Sequence, residues 1–81
     1  MEKKIIVKNT AGLHAALAAK LVQAASKYEV DITLHYKDEV IDLKSILGLM
    51  SLAVPSGKDV VVVAEGDQAE IAINEIASIL E

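Results

Sequence analysis

The hydrophobic positions of this 81-residue chain change their spacing several times, and each change marks an element. Ile5-Ile6-Val7, within Lys3 to Lys8, is short and β-branched and gives way to Asn9-Thr10 and then Gly12, which predicts a strand ending in a loop. From about Ala15 to Lys27 the period lengthens. Leu17, Ala18, Leu21, Val22, Ala25 and Tyr28 recur at three- and four-residue steps, predicting an amphipathic helix with Lys20, Gln23 and Lys27 toward solvent. Asp31 to Tyr36 then alternates, with Ile32, Leu34 and Tyr36 on one face and Thr33 and His35 on the other, as in a half-buried strand. Lys37-Asp38-Glu39 reads as a tight polar turn and Val40 to Leu43 as the return strand of a β-hairpin, which points His35 to water.

Ser45 opens a stretch, Ile46 to Val54, too apolar for a loop and short for a helix, and predicts a two-turn helix capped by the serine. Ile46, Leu47, Leu49, Met50, Leu52 and Val54 are too many for one buried stripe, so some of them should be exposed. Pro55-Ser56-Gly57 turns the chain, and Val60 to Val63 is a continuous β-branched run of the kind found deep in a sheet. After Gly66, Asp67 and Glu70 have capping-box spacing ahead of a final helix. Its buried stripe is Ala69, Ala72, Ile73, Ile76 and Ile79/Leu80, with Glu70, Asn74, Glu75 and Ser78 toward water. The order is β-α-β-β-α-β-α, an α+β layer with one sheet face covered and the other open. Periodicity alone leaves open whether this is ferredoxin-like or another α+β arrangement. Without repeats or low-complexity linkers, residues 1–81 read as a single domain.

Composition narrows what such a domain can do. Cysteine, Phe and Trp are absent and 53% of residues are hydrophobic, so Ile, Leu, Val and Ala must fill the core unaided by disulfides or thiolate metal sites. A net charge of −4, with eight lysines and no arginine, speaks against nucleic-acid binding, which needs a cationic stripe. No apolar run is long enough to cross a membrane and the first residues lack a signal peptide's apolar region, so a cytoplasmic protein without membrane insertion is expected. Two histidines far apart in sequence and no clustered carboxylates predict neither a metal site, a cofactor nor an acid–base pair, and argue against an autonomous enzyme.

The candidate chemistry lies at His14, at the lip of the first helix. Read from spacing, it is either simply a polar residue at a helix start or a group whose bound anion would meet the unpaired backbone N–H groups and the positive end of the helix dipole. Ser45 has a similar pair of readings, as a plain N-cap or as a site where an added phosphate would find the same donors.

Two motifs tip this balance. Ala11-Gly12-Leu13-His14-Ala15 is similar to the Gly-Leu-His segment that carries the phosphorylated histidine in HPr, the phosphocarrier of the bacterial sugar phosphotransferase system. Lys44-Ser45-Ile46-Leu47-Gly48-Leu49-Met50-Ser51-Leu52 resembles the segment whose serine is phosphorylated by a regulatory kinase in HPr and its relative Crh. The resemblance runs the length of the chain. It implies an open-faced β-sandwich, a four-stranded antiparallel sheet with three helices on one face. It further implies that His14 accepts a phosphoryl group from enzyme I and passes it to sugar-specific acceptor proteins, that HPr kinase/phosphorylase modifies Ser45, and that Ile46, Leu47 and Met50 form a docking patch. Such a protein is a carrier rather than an enzyme. A Crh-like regulator, phosphorylated only on Ser45 and binding a transcriptional regulator as corepressor, is the alternative.

One departure falls in the motif itself. HPr continues Gly-Leu-His-Ala with Arg-Pro, where this chain has Ala16 and Leu17. An arginine there would add charge-assisted bonds of about 1.5–3 kcal/mol each, whereas a helix terminus contributes roughly 0.3–1 kcal/mol, or ~2 when partly buried. Phosphate support is then left to the terminus at Ala15 and Ala16, with Lys20 the nearest downstream cation on the helix, and weaker stabilisation or slower transfer is expected.

Overall fold

The computed structural model describes residues 1–81, and its elements follow the predicted order: β1 (Glu2–Ile6), α1 (Ala15–Ser26), β2 (Asp31–Tyr36), β3 (Glu39–Asp42), α2 (Ile46–Leu52), β4 (Asp59–Glu65) and α3 (Ala69–Leu80). The four strands form one antiparallel sheet in the order β1-β4-β2-β3. The valine run of β4 is central, flanked by β1 and β2, because a β-branched strand is best stabilised where both edges are paired. Alternation then divides each strand between two environments. Ile5, Ile32, Leu34, Val60, Val62 and Ala64 point into the helical layer and are buried, while Lys4, Ile6, Thr33, His35, Val61 and Val63 lie on the uncovered face.

The core beneath the helices is wholly aliphatic, with no buried polar or charged residue. Leu21 of α1, Leu49 of α2 and Ile73, Ile76 and Leu80 of α3 are its largest helical members, and Tyr28 and Tyr36 pack only at its margin. Packing of this kind is unforgiving, since truncating one fully buried Leu or Ile to Ala costs about 2–5 kcal/mol.

Strand boundaries shift from the sequence reading at two places. β1 leaves the ladder at Ile6, one residue before the apolar run ends. Val7 bonds instead to the turn before β4, its N–H to the Lys58 carbonyl at 2.9 Å and its carbonyl to the Gly57 N–H at 2.7 Å. The hairpin turn is Lys37-Asp38 alone, with Lys37 at φ 53°, so β3 starts at Glu39. Leu43 falls outside the strand and is fully buried.

One side-chain expectation is corrected and two are refined. Asp67 does not cap α3: a turn in which the Ala69 N–H bonds the Gly66 carbonyl at 3.2 Å starts the helix at Ala69, with Gln68 as N-cap and no side-chain cap bond. Glu70 is thereby one position out of capping-box register. Glu75 faces water only in part, because α3 packs on α1 and brings it to Lys27, with which it pairs, and to the Tyr28 hydroxyl, which donates to it at 2.6 Å. His35 lies on the open face as expected but is half-buried among its strand neighbours, with Nε2 3.1 Å from Thr33 Oγ1.

The bonds from Lys27 and Tyr28 hold the Glu75 carboxyl below its usual value of 4.5, and the same carboxylate raises both the Lys27 and Tyr28 values. A carboxyl whose folded value is depressed contributes stability that is present above its unfolded value and lost as pH falls through the folded one. Glu75→Gln is therefore expected to lower stability at neutral pH and to flatten its fall below about pH 4.5, as read from urea midpoints across pH. A second expectation concerns the end of α2, where Ala53 sits in the left-handed region at φ 49°. Ala53→Gly should raise the unfolding free energy by roughly 0.5–1 kcal/mol in the same assay, since glycine adopts that conformation without steric cost.

Candidate functional site

The site is built where the loop after β1 meets the end of α2. Asn9 organises the loop, its Oδ1 accepting from the Ala11 N–H at 3.0 Å and its carbonyl from the Gly12 N–H at 2.9 Å. Gly12 is buried in the left-handed region at φ +69°, where glycine is at ease, and lies flat against the backbone that follows α2. A Cβ on it would stand 2.5 Å from the Val54 carbonyl oxygen and 3.0 Å from the Ser56 nitrogen. This closeness lets the Leu13 N–H bond the Val54 carbonyl at 2.8 Å. Leu13 and Leu17 are both buried, so the chain is anchored on either side of His14.

His14 is the N-cap of α1, in extended conformation at φ −96° and ψ 176°, and its carbonyl accepts the first helical bond from Ala18 at 2.9 Å. Its half-buried ring makes no capping bond, and no group of the chain accepts from the N–H groups of Ala15, Ala16 and Leu17. An N-cap acceptor ordinarily takes the second or third of these donors, here Ala16 and Leu17. An anionic group on the His14 ring would act as such an acceptor, aided by the helix dipole. Leu17 matters twice: it fills the core, and it keeps a backbone N–H that a proline at this position would lack.

Ala15 and Ala16 are exposed and bring no charge to the ring. Lys20 is also exposed, one and a half turns further along α1, where it lines a groove between α1 and α3 with Gln23, Lys27 and Glu75.

Ser45 is the N-cap of α2, and its Oγ accepts from the Gly48 N–H at 3.2 Å. Gly48 also lets the helix sit close on β3, for a Cβ there would stand 2.6 Å from Ile41 Cγ2. Within α2 only Leu49 is fully buried, leaving Ile46 (40% exposed), Leu47 (79%) and Met50 (44%) as an apolar surface. α2 packs against α1, and the Leu13–Val54 bond ties its C-terminal end to the approach to His14. Ser45 lies at the other end of α2, about 10 Å along the axis at 1.5 Å per residue. The Gly12–Val54 joint had no signal in the sequence pattern, because the two positions are far apart in the chain: Gly12 reads only as a break between strand and helix, and Val54 only as the end of an apolar stretch.

Comparison with known proteins assigns the family and agrees with the fold. The sequence matches the family described as PTS HPr component phosphorylation site over residues 1–81. The phosphocarrier protein HPr of Bacillus anthracis str. Ames superposes with a TM-score of 0.95 at 33% identity, over 100% of this chain and 96% of that one. An HPr from Thermoanaerobacter tengcongensis gives 0.93 at 41% identity, over 99% and 90%. Crh of Bacillus subtilis, a catabolite repression protein described as a swapped dimer, gives 0.79 at 36% identity, over 96% and 90%. The chain belongs to the HPr family, and this membership supports a phosphocarrier role.

Gly12→Ala is expected to cost about 2–4 kcal/mol, because it combines an unfavourable φ with a backbone clash. A urea unfolding curve measures the loss. Ser45→Ala, which removes only a cap, should cost about 1 kcal/mol in the same assay.

Proposed function

We propose that this protein carries phosphoryl groups on His14, accepting them from enzyme I and giving them to sugar-specific acceptor proteins, and that phosphorylation of Ser45 regulates it. The observation that carries the first part is the N-terminus of α1, where the half-buried His14 ring stands at the N-cap and no group of the chain accepts from the N–H groups of Ala15, Ala16 and Leu17. A neutral imidazole nitrogen attacks phosphorus, the bond to the donor breaks, and the phosphoryl oxygens accept from the Ala16 and Leu17 N–H groups. Onward transfer is a second displacement, in which a nucleophile of the acceptor protein attacks phosphorus, the N–P bond breaks and the neutral imidazole leaves. Ile46, Leu47 and Met50, on the helix whose C-terminal end is tied to the approach to His14, give partners an aliphatic surface to bury, as exposed apolar clusters do at contact sites.

Ser45 supports regulation through the same physics. A phosphate on its Oγ would sit at a helix N-terminus, which tolerates negative charge, beside the apolar patch. Asp42 is close in sequence but directs its Oδ1 to the Lys44 N–H, and Lys44 Nζ donates to the Tyr28 carbonyl. A second reading, a Crh-like regulator modified only on Ser45 that binds a transcriptional regulator, is favoured by one specific feature, the lack of any cationic side chain at Ala16.

Intact mass after incubation with phosphoenolpyruvate and enzyme I separates the two. An acid-labile gain of one phosphoryl group, absent in His14→Ala, is the expected result. No gain, with another family member labelled in parallel, would overturn the carrier reading and leave the regulator. Ala16→Arg should increase the phosphohistidine lifetime or the transfer rate by roughly ten- to hundred-fold, the worth of one charge-assisted bond. With HPr kinase and ATP, an acid-stable gain lost in Ser45→Ala is expected.

A further inference from the structure

We propose that the uncovered face of the sheet is a second docking surface, for a protein partner that presents lysine or arginine side chains around an aliphatic centre. The strand register places the side chains of this face in rows. Lys4, Val61, His35 and Val40 form one row, and Glu2, Val63, Thr33 and Asp42 the next. Ile6 and Val40 are 46% and 56% exposed, and Val61 and Val63 are partly so, which leaves Val61 and Val63 at the middle of the face and Ile6 and Val40 at its two edges, with the hydrogen-bonded Thr33 and His35 between Val40 and the β4 valines, on a face that no element of the chain covers.

The charges on the face are unbalanced. Five carboxylates, on Glu2, Asp31, Asp42, Asp59 and Glu65, stand against a single lysine, Lys4, which is already paired with Asp59 at 3.0 Å. Asp31 and Glu65 are directly opposite each other on β2 and β4, both exposed, and neither has a cationic partner. Like charges opposed across strands are destabilising. The nearest positive group of the chain is the N-terminal ammonium, which donates to the Ala64 carbonyl at 2.9 Å beside Glu65, and a cation brought by a partner between the two carboxylates would offset their opposition further.

This charge pattern selects the occupant. A second copy of the chain would set carboxylates against carboxylates, and an anionic membrane or nucleic acid would be repelled. A basic protein surface is complementary both in charge and in its aliphatic centre. Four strands about 4.8 Å apart and about five residues long cover roughly 300 Å², the scale of a transient contact. The face lies on the opposite side of the sheet from the three helices, so a partner docked there leaves His14 and the α2 patch open to a second protein.

The test is a titration of the methyl-labelled full chain at low salt with two synthetic strand-forming peptides of equal positive charge, one alternating Lys with Val and the other Lys with Ser. The expected result is that Ile6, Val40, Val61 and Val63 methyls shift while Leu47 and Ile73 do not. The Lys–Val peptide should bind about ten-fold tighter than the Lys–Ser peptide, roughly the effect of burying two methylene groups. The double variant Asp31→Asn/Glu65→Gln should bind it several-fold more weakly and unfold at higher urea. Equal binding of the two peptides, shifts confined to the α2 methyls, no shifts at all, or a double variant that is not more stable would each overturn the proposal. Self-association of the chain alone in sedimentation, with the same methyls shifting, would assign the face to a second copy and overturn it as well.

Discussion

The arrangement at His14 depends on one close approach between two backbones, that of Gly12 to the segment Val54–Ser56. With no side chain at Gly12, the Leu13 N–H reaches the Val54 carbonyl, and the loop after β1 is fastened to the chain that leaves α2. That bond sets where α1 begins, and hence where its free N–H groups point. It also makes the end of α2 part of the same structural unit, so the histidine and the apolar surface of α2 are positioned together. A backbone contact suits this purpose because it has no rotamer freedom: the histidine's own backbone is held while its ring makes no capping bond.

The site works with little. In a relative with arginine and proline after the histidine, charge would come from a side chain and the helix start from a fixed φ. Here the corresponding residues are Ala16 and Leu17, and what the chain offers beside the ring is main-chain N–H groups alone. Leu17 offsets part of the difference, for its side chain joins the aliphatic core and its N–H is a donor that proline lacks. The same economy marks the whole fold, whose buried layer contains only aliphatic side chains and whose few polar contacts, such as Glu75 with Lys27 and Tyr28, lie at its edge. A one-sided layer of this kind leaves a second sheet face whose composition folding constrains only weakly, and there the acidic residues and exposed valines accumulate.

Much of this was legible in the chain, because local periodicity is a direct record of which face of an element is buried. The alternation of Asp31 to Tyr36, the helical spacing from Leu17 to Ala25 and the valine run of β4 each reappear as the expected element, and Ser45 caps α2 as its residue type predicts. The excess of apolar positions after Ser45 also foretold that some would be exposed, and the structure identifies them as Ile46, Leu47 and Met50. The order of elements, the aliphatic nature of the core, and the placing of a histidine and a serine at two helix starts were thus determined by the sequence alone. Pattern and capping act within a few residues, and nothing distant overrode them.

Tertiary structure decided everything that required two distant segments to meet. Asp67 has the spacing of a cap, yet the turn at Gly66 starts α3 one residue too late to use it. Glu75 lies on a polar-looking position of α3, yet the packing of α1 beside it turns that position into a partner for Lys27 and Tyr28. Lys20 shares a helix with His14, yet its place on the cylinder sends it to the groove beside α3. Strand order, the Gly12–Val54 joint and the opposition of Asp31 to Glu65 are likewise products of pairing across the sheet. Such contacts leave no trace in local periodicity, since each partner satisfies the period of its own element and only the folded register brings the two together.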